Sequence, residues 1–218
     1  MYEFCNIFIT NTWPKFSSKK KVNLNNVNLK SVLTHPKWKM GINNSIDSSN
    51  FVNKLLEIYE LSIIYKIDLK QIDFLVSREA YIHSVVIQKD NIVTINCFDN
   101  DMIVTLVKPL LNFYPNIAVS YSKNFLNYKK LKLEIFNDKR FKIYYYLKKL
   151  KNLSPQKQIT FMILNNIAHK KYLCKDIKYN EIIDFIMTNL NNIKKSIKFK
   201  SLNDRIKFIN IIELSYDN

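Results

Sequence analysis

The amino-acid sequence predicts an α+β fold, in which a helix-strand-strand-helix-strand module is followed by a basic, mainly helical second part. Two β-rich runs flank a polar turn at Gln88–Asn91, and apolar residues at helical spacing lie before and after this hairpin. With 218 residues, 47% of them hydrophobic, the chain can bury a core. The predicted segments are a basic arm (1–50), the α+β module (51–121), a basic aromatic segment (122–154) and a helical C-terminal part (155–218).

The N-terminal arm is predicted to be irregular. Its tract Ser17–Lys30 is polar and Asn-rich and has little periodicity. Lys19, Lys20 and Lys21 are adjacent in this tract. The same pattern fits a disordered tail, and in a ribonucleoprotein such an arm becomes ordered only against RNA or neighbouring proteins.

The α+β module begins with a helix at Phe51, which Ser48, Ser49 or Asn50 can cap. The helical pattern fades between Tyr65 and Ser77. The elements expected after that point are strands over Tyr81–Ile87 and Ile92–Phe98, a helix over Met102–Phe113 and a strand over Ile117–Tyr121.

The second part is mainly helical by its apolar spacing. Ser154 followed by Pro155 is a typical helix start, and this helix is expected to run to about His169. The clearest amphipathic stripe follows, from Ile182 to Ile197. The other expected elements are a strand over Leu131–Phe136, a helix over Arg140–Asn152, a short strand over Ile197–Lys200 and a helix or strand over Ile206–Leu214.

The charge distribution indicates an acidic partner. The net charge is +16, and residues 122–151 hold ten Lys or Arg against two acids, with aromatic residues between them. Such a block suits a polyanion, because cations neutralise phosphates and aromatic rings stack on unpaired bases. The alternative is an amphipathic strand and helix with solvated charges. Codon bias also contributes, since 31 Lys against three Arg and a single Gly indicate an A+T-rich genome.

We therefore expect RNA binding through phosphates, by lysines of the arm and by the basic aromatic segment. The candidate RNA-binding residues are Lys19, Lys20, Lys21, Lys37, Lys39, Lys123, Lys129, Lys130, Lys132, Lys139, Arg140, Lys142, Lys148, Lys149 and Lys151.

Motifs for catalysis are missing from the sequence, so no enzyme, cofactor or metal is expected. A single Gly excludes both a P-loop and a dinucleotide fingerprint. His169 and Cys174 are five residues apart, but a surface histidine near a helix end explains this spacing better than a nucleophile–base pair. Asp99 and Asp101 fit helix capping better than metal binding.

The stretch Thr34–Asn43 (THPKWKMGIN) resembles the N-terminal signature of the small-subunit ribosomal protein three family. The helix from Phe51 and the hairpin Ile82–Ile95 are similar to the type II KH domain of that family, as are Leu106–Asn112 and Ile117–Tyr121. Weaker similarity to the start of its C-terminal domain lies in Ile163–Ala168, 181–195 and Ser196–Lys200. The resemblance makes 122–154 an insertion.

The resemblance implies a KH-like module that lacks its RNA clamp. The GxxG loop of a KH domain would fall at Phe98–Met102, where this chain has two acids and no Gly. RNA contact would then shift to the basic arm and the insertion.

The resulting expectation is a structural protein of a mitochondrial small ribosomal subunit. Its expected partners are ribosomal RNA and neighbouring ribosomal proteins, with no membrane contact and no homo-oligomer. One alternative is a soluble accessory subunit of an organellar respiratory-chain assembly, in which the lysines reflect codon bias alone. Another is a nuclease with Asp99 and Asp101 as metal ligands.

Overall fold

The computed structural model describes residues 4–14, 22–34, 40–98, 131–192 and 199–216. These residues form one five-stranded sheet with helices packed against it. The strands are β1 (Phe4–Asn11), β2 (Ile72–Val76), β3 (Ile82–Gln88), β4 (Val93–Cys97) and β5 (Glu134–Ile135). The helices are α1 (Leu29–Val32), α2 (Ile42–Asn50), α3 (Val52–Tyr65), α4 (Ile143–Leu150), α5 (Pro155–Leu173), α6 (Ile182–Asn192) and α7 (Leu202–Leu214).

Strand β1 is the central strand of the sheet, whose order is β4-β3-β1-β2-β5. Ile7 of β1 is in register with Ile72 of the parallel strand β2 and with Val86 of the antiparallel strand β3. Alternate residues of β1 point to the same face, and Ile7 and Ile9 are both buried. Strand β1 therefore joins the β3–β4 hairpin to strands β2 and β5.

One hydrophobic core lies between the sheet and the helices. Ile9, Ile72, Phe74 and Val76 contribute the sheet side of this core. The core also includes residues from α2 to α7, so the described parts of all four predicted segments share it. Among the helices that the structure describes, none combines the length and hydrophobicity needed to cross a membrane.

The N-terminal region differs from the irregular arm that the sequence predicts. Residues Phe4–Asn11 form the central strand, and Ile42–Asn50 form helix α2. Strand β2 was also missed, in the region where the helical pattern fades. Strands β1 and β2 pair with strands far away in the chain, a constraint that local sequence patterns do not show.

Other predicted elements are present. Strands β3 and β4 form a hairpin around Gln88–Asn91, in which Asn91 has a left-handed φ of 65°. Helix α5 has Ser154 as its N-cap and Pro155 in its first turn, and it extends past His169 to Leu173. The segment Ile206–Leu214 belongs to helix α7.

The KH-like order of elements and the segment boundaries stay predictions. The helix expected at Met102–Phe113 and the strand at Ile117–Tyr121, which complete that order, lie outside the described residues. Strand β1, which the KH-like prediction does not contain, lies between β2 and β3 in the sheet.

Lys66 directly follows the last residue of α3. It is exposed and has left-handed angles (φ 55°, ψ 41°). A side chain with a Cβ is strained there, whereas glycine is not. We expect Lys66→Gly to raise the free energy of unfolding by about 0.5–1 kcal/mol in urea titrations. Lys70→Gly is the control, because exposed Lys70 has no positive φ, and this change should lower stability. Equal effects of the two changes would contradict the prediction.

Candidate functional site

A sharp corner between α2 and α3 positions the candidate site. Phe51, at this corner, has left-handed angles (φ 68°, ψ 6°) although it is not glycine, and its side chain is fully buried. Its ring centroid lies 5.6 Å from that of Trp13, 4.4 Å from that of Phe136 and 5.0 Å from that of Phe141. This aromatic packing offsets the backbone strain and sets the direction in which α3 begins.

Three polar side chains come together in the first turns of α3. Asn53 Nδ2 donates to Glu57 Oε1 at 2.5 Å. Lys54 Nζ donates to both carboxylate oxygens of Glu57, at 2.8 Å and 2.7 Å. The Lys54 side chain is 13% exposed and that of Glu57 is 33% exposed, so solvent reaches the carboxylate more easily than the ammonium.

This cluster combines two chemical capacities. An ammonium and an amide N–H bind anionic oxygens such as those of a phosphate. A carboxylate is a hard oxygen ligand of the kind that Mg²⁺ prefers. The arrangement is therefore suited to an anionic ligand together with a divalent cation.

The pKa of His83 of β3 is influenced by the positive charge of Lys54. Its Nε2 lies 3.1 Å from the carbonyl oxygen of Phe98, and its ring stacks on Phe98 with centroids 3.4 Å apart. Burial lowers the pKa of His83 below its ordinary value of 6.5, and the positive charge of Lys54 adds to this; the contact with Phe98 O opposes it. The imidazole therefore favours its neutral form in the folded protein.

We expect the NMR titration of His83 to have a midpoint below 6.5, and Lys54→Met to move that midpoint upward. Because the folded-state pKa is depressed, His83 contributes stability that is complete above the ordinary pKa and is lost as the pH falls below it. His83→Gln assigns the signal among the three histidines. Lys142→Met is the control and should leave the midpoint unchanged; no change with Lys54→Met would contradict the prediction.

A groove of about 630 Å³ runs along α3, between this helix and α5. Asn53 and Glu57 line the part of the groove next to the polar cluster, and Phe199 and Arg205 line the groove from the chain after α6. Its volume is in the range of small-molecule sites.

Glu57 and Glu60, three residues apart on α3, are carboxylates that line the groove, and Glu57 is the one within the polar cluster. Across residues 4–14, 22–34, 40–98, 131–192 and 199–216, no three His, Cys, Asp or Glu side chains form a metal-binding group. Mg²⁺ is often held by one or two carboxylates, with water and substrate oxygens in its other positions. Glu57 therefore fits a shared site that other oxygens complete.

The predicted RNA-binding residues that the structure describes lie outside this cluster, and five of these seven are paired with other side chains. Lys132 contacts Glu134 at 2.7 Å, Arg140 contacts Asp138 at 2.5 Å, Lys142 contacts Asp184, Lys149 contacts Asn191 at 2.9 Å, and Lys151 contacts Asp73 at 3.2 Å. Lys139 and Lys148 are exposed. Within residues 131–151, five cations of the basic block are thus paired with neighbouring polar groups.

The pairing of Arg140 with Asp138 affects the pKa of that carboxyl. Burial opposes ionisation of Asp138, but the hydrogen bonds and charge of Arg140 outweigh it and keep the pKa of the carboxyl below its ordinary value. Arg140 is thus committed to a carboxylate within the same chain.

Several predicted residues fall outside the described part of the chain. They are Lys19, Lys20, Lys21, Lys37, Lys39, Lys123, Lys129, Lys130, Asp99 and Asp101.

The part of the chain that contains the polar cluster is similar to known proteins. Residues 2–65 match the model of the 1-deoxy-D-xylulose 5-phosphate reductoisomerase C-terminal domain. The reductoisomerase of Wolbachia pipientis subsp. Culex pipiens (strain wPip) is 27% identical over 202 residues, which are 92% of this chain and 51% of that protein. The enzyme of Clostridium novyi (strain NT) is 30% identical over 196 residues, covering 88% of this chain and 50% of the relative.

This chain resembles 1-deoxy-D-xylulose 5-phosphate reductoisomerases. It spans about half the length of the curated reductoisomerases that it matches. A solved reductoisomerase in complex with NADPH, fosmidomycin and magnesium has the same fold, with a TM-score of 0.84 at 21% identity over 98% of this chain and 54% of that one. The enzyme from Zymomonas mobilis in complex with NADPH has a TM-score of 0.81 at 21% identity, over 98% of this chain and 55% of that one.

The reductoisomerase match overturns the predicted ribosomal function. The stretch Thr34–Asn43, which carried the ribosomal resemblance, lies inside the matched residues 2–65. Its Pro, basic and Gly residues form a short pattern that is not specific to one family. The expected ribosomal RNA and ribosomal protein partners, the expectation of no homo-oligomer and the respiratory-chain alternative are wrong as well.

Two further predictions need the same correction. The prediction that the chain is not an enzyme is wrong, because its relatives are reductoisomerases. The predicted location in a mitochondrial ribosome is also wrong, because these relatives are bacterial enzymes. Sequence reasoning also missed Asn53, Lys54 and Glu57, whose only local signal is their spacing of three and four residues on a helix.

Proposed function

We propose that this chain forms the substrate- and metal-binding part of a 1-deoxy-D-xylulose 5-phosphate reductoisomerase. The observation that carries the proposal is the polar cluster of Asn53, Lys54 and Glu57, which lies inside the residues that match the reductoisomerase domain. Because the chain spans about half of its relatives, the proposal concerns this part of the reaction.

Each residue of the cluster has a chemical task in the proposed site. Lys54 and Asn53 bind anionic oxygens of the sugar phosphate and fix its orientation. Glu57 supplies one oxygen ligand to Mg²⁺, and the substrate and water complete the coordination. NADPH, when bound, supplies a hydride. The low exposure of Lys54 keeps its charge out of bulk water, which strengthens its attraction for an anion.

The polar neighbours of Glu57 support its assignment as the metal ligand. Asn53 and Lys54 hold the carboxylate in one orientation, and a carboxylate has enough lone pairs to accept these bonds and also bind a cation. The groove next to Glu57 leaves room for a ligand on its exposed side.

The first test is isothermal titration calorimetry of the purified chain with 1-deoxy-D-xylulose 5-phosphate, with and without Mg²⁺. Binding that requires Mg²⁺ and is lost in Glu57→Gln is the expected result. Glucose 6-phosphate controls for non-specific attraction of an anion to a chain with a net charge of +16. Equal heats of binding for both sugar phosphates, or an affinity that does not depend on Mg²⁺, would overturn the proposal.

A further inference from the structure

A buried polar contact joins α2 to α5, away from the cluster on α3. Asn165 Nδ2 donates to Asp47 Oδ1 at 2.9 Å. His169 Nε2 lies 2.9 Å from the same oxygen without hydrogen-bond geometry, and Asn165 supplies the aligned hydrogen bond. The Asp47 side chain is 8% exposed and that of His169 is 1% exposed.

Such a contact fixes the position of α2. A carboxylate that is removed from water requires partners, and the loss of a partner is far more costly than at the surface. Asn165 and His169 are one helical turn apart, so both reach Asp47 from one face of α5. Helix α2 cannot slide along α5 without leaving the carboxylate unpaired.

A second buried contact holds the C-terminal end of α2 at Ser49. Ser49 Oγ lies 3.0 Å from Tyr179 Oη, and both residues are buried. The ring of Tyr179 packs edge-on against Tyr172 of α5, with centroids 6.0 Å apart. Asp47 and Ser49 therefore anchor the last turns of α2 to the C-terminal helical part on two sides.

This anchoring is transmitted to α3 through a short, rigid corner. Asn50 Oδ1 accepts a hydrogen bond from the backbone N–H of Val52 at 3.0 Å, and Phe51 between them is packed among aromatic rings. Lys54 follows two residues later. The direction of the first turn of α3 is thus set by where α2 lies.

From these contacts we infer that Asp47 and His169 are positioning residues for the proposed substrate and metal site. They hold α2 on α5 so that Lys54 and Glu57 are presented in a productive geometry, which makes the C-terminal helical part a structural component of the site. The inference rests on the proposed function, because it assigns these residues a role in that site.

The test compares His169→Leu, which removes the polar ring, with His169→Gln, which keeps an N–H donor. We expect His169→Leu to weaken Mg²⁺-dependent binding of 1-deoxy-D-xylulose 5-phosphate by roughly 10-fold or more, because small displacements of binding groups are costly. His169→Gln should restore most of the affinity. Leu190→Ala is the matched control, because this fully buried residue belongs to α6 and its truncation destabilises the fold without changing a residue of α2 or α5.

Hydrogen exchange measured by mass spectrometry gives a readout that does not depend on the ligand. His169→Leu should speed exchange in residues 42–57 selectively, whereas Leu190→Ala should speed it around α6. If His169→Leu does not fold, Asp47→Asn replaces it, since it removes the charge and keeps an oxygen acceptor for Asn165.

The outcomes separate the two proposals. Normal ligand affinity and unchanged exchange in residues 42–57 would overturn the inference, as would equal losses of affinity in His169→Leu and Leu190→Ala. If the wild-type chain does not bind the sugar phosphate, the proposed function fails. In that case selective exchange in residues 42–57 would still support the placement of α2 by Asp47 and His169, and unselective exchange would overturn it.

Discussion

Replacing Lys54 by methionine is expected to weaken the proposed binding of 1-deoxy-D-xylulose 5-phosphate by about 10- to 100-fold, the range for loss of a hydrogen bond to a charged group. Methionine keeps most of the apolar stem, so the change removes the ammonium with little loss of packing. It also removes the two hydrogen bonds by which Lys54 holds the Glu57 carboxylate in one orientation. Calorimetric titration in Mg²⁺ measures the effect.

The matched control for this prediction is Lys142→Met. Lys142 also forms an ion pair, with Asp184, but it lies next to α4 and α6 and not at the candidate site. This change should leave the affinity within about twofold of the wild type, since a surface ion pair contributes little. If both lysine changes weaken binding equally, the effect is due to net charge and Lys54 has no special role.

Replacing Phe51 by alanine is expected to lower the free energy of unfolding by about 3–5 kcal/mol, as for other fully buried aromatic residues. The change empties the space between Trp13, Phe136 and Phe141 and keeps a Cβ at a left-handed φ of 68°. Urea denaturation followed by circular dichroism measures the loss.

Phe51→Gly separates backbone strain from lost packing. Glycine relieves the left-handed strain, so this variant should be about 1 kcal/mol more stable than Phe51→Ala, against the usual preference for alanine near helices. Phe161 of α5 provides the reference pair, because it is equally buried but lies within a regular helix. At this position Phe161→Gly should be less stable than Phe161→Ala. If glycine is less stable than alanine at Phe51 as well, the backbone at Phe51 is not strained.

The elements that could be predicted from the sequence are those set by local chemistry. The turn Gln88–Asn91 between two β-rich runs and the Ser154–Pro155 helix start each contain their own structural signal. Strands β1 and β2 are rich in β-branched and aromatic residues, but neither is marked by a turn or cap of this kind. Their regularity comes from pairing with each other and with distant strands, which no short window of sequence contains.

The site was missed for a related reason. Lys54 and Glu57 are spaced like an ordinary ion pair on a helix surface, and such pairs are common without function. Their meaning depends on the neighbours that the fold adds: the corner at Phe51, His83 of the sheet and the groove beside α5. The lysine-rich composition drew attention instead to residues 122–151, where several of the described cations are paired with polar groups of the same chain.

The central position of β1 has a consequence for how the chain folds. Ile7 pairs with Ile72 and Val86, so each contact closes a loop of about 65 residues or more. During synthesis β1 leaves the ribosome well before either neighbour exists, and the entropy of closing these loops must be met before its contacts form. Until then β2 and the β3–β4 hairpin are separate fragments with unpaired edges, which are prone to aggregate. We therefore expect slow refolding whose yield falls as protein concentration rises.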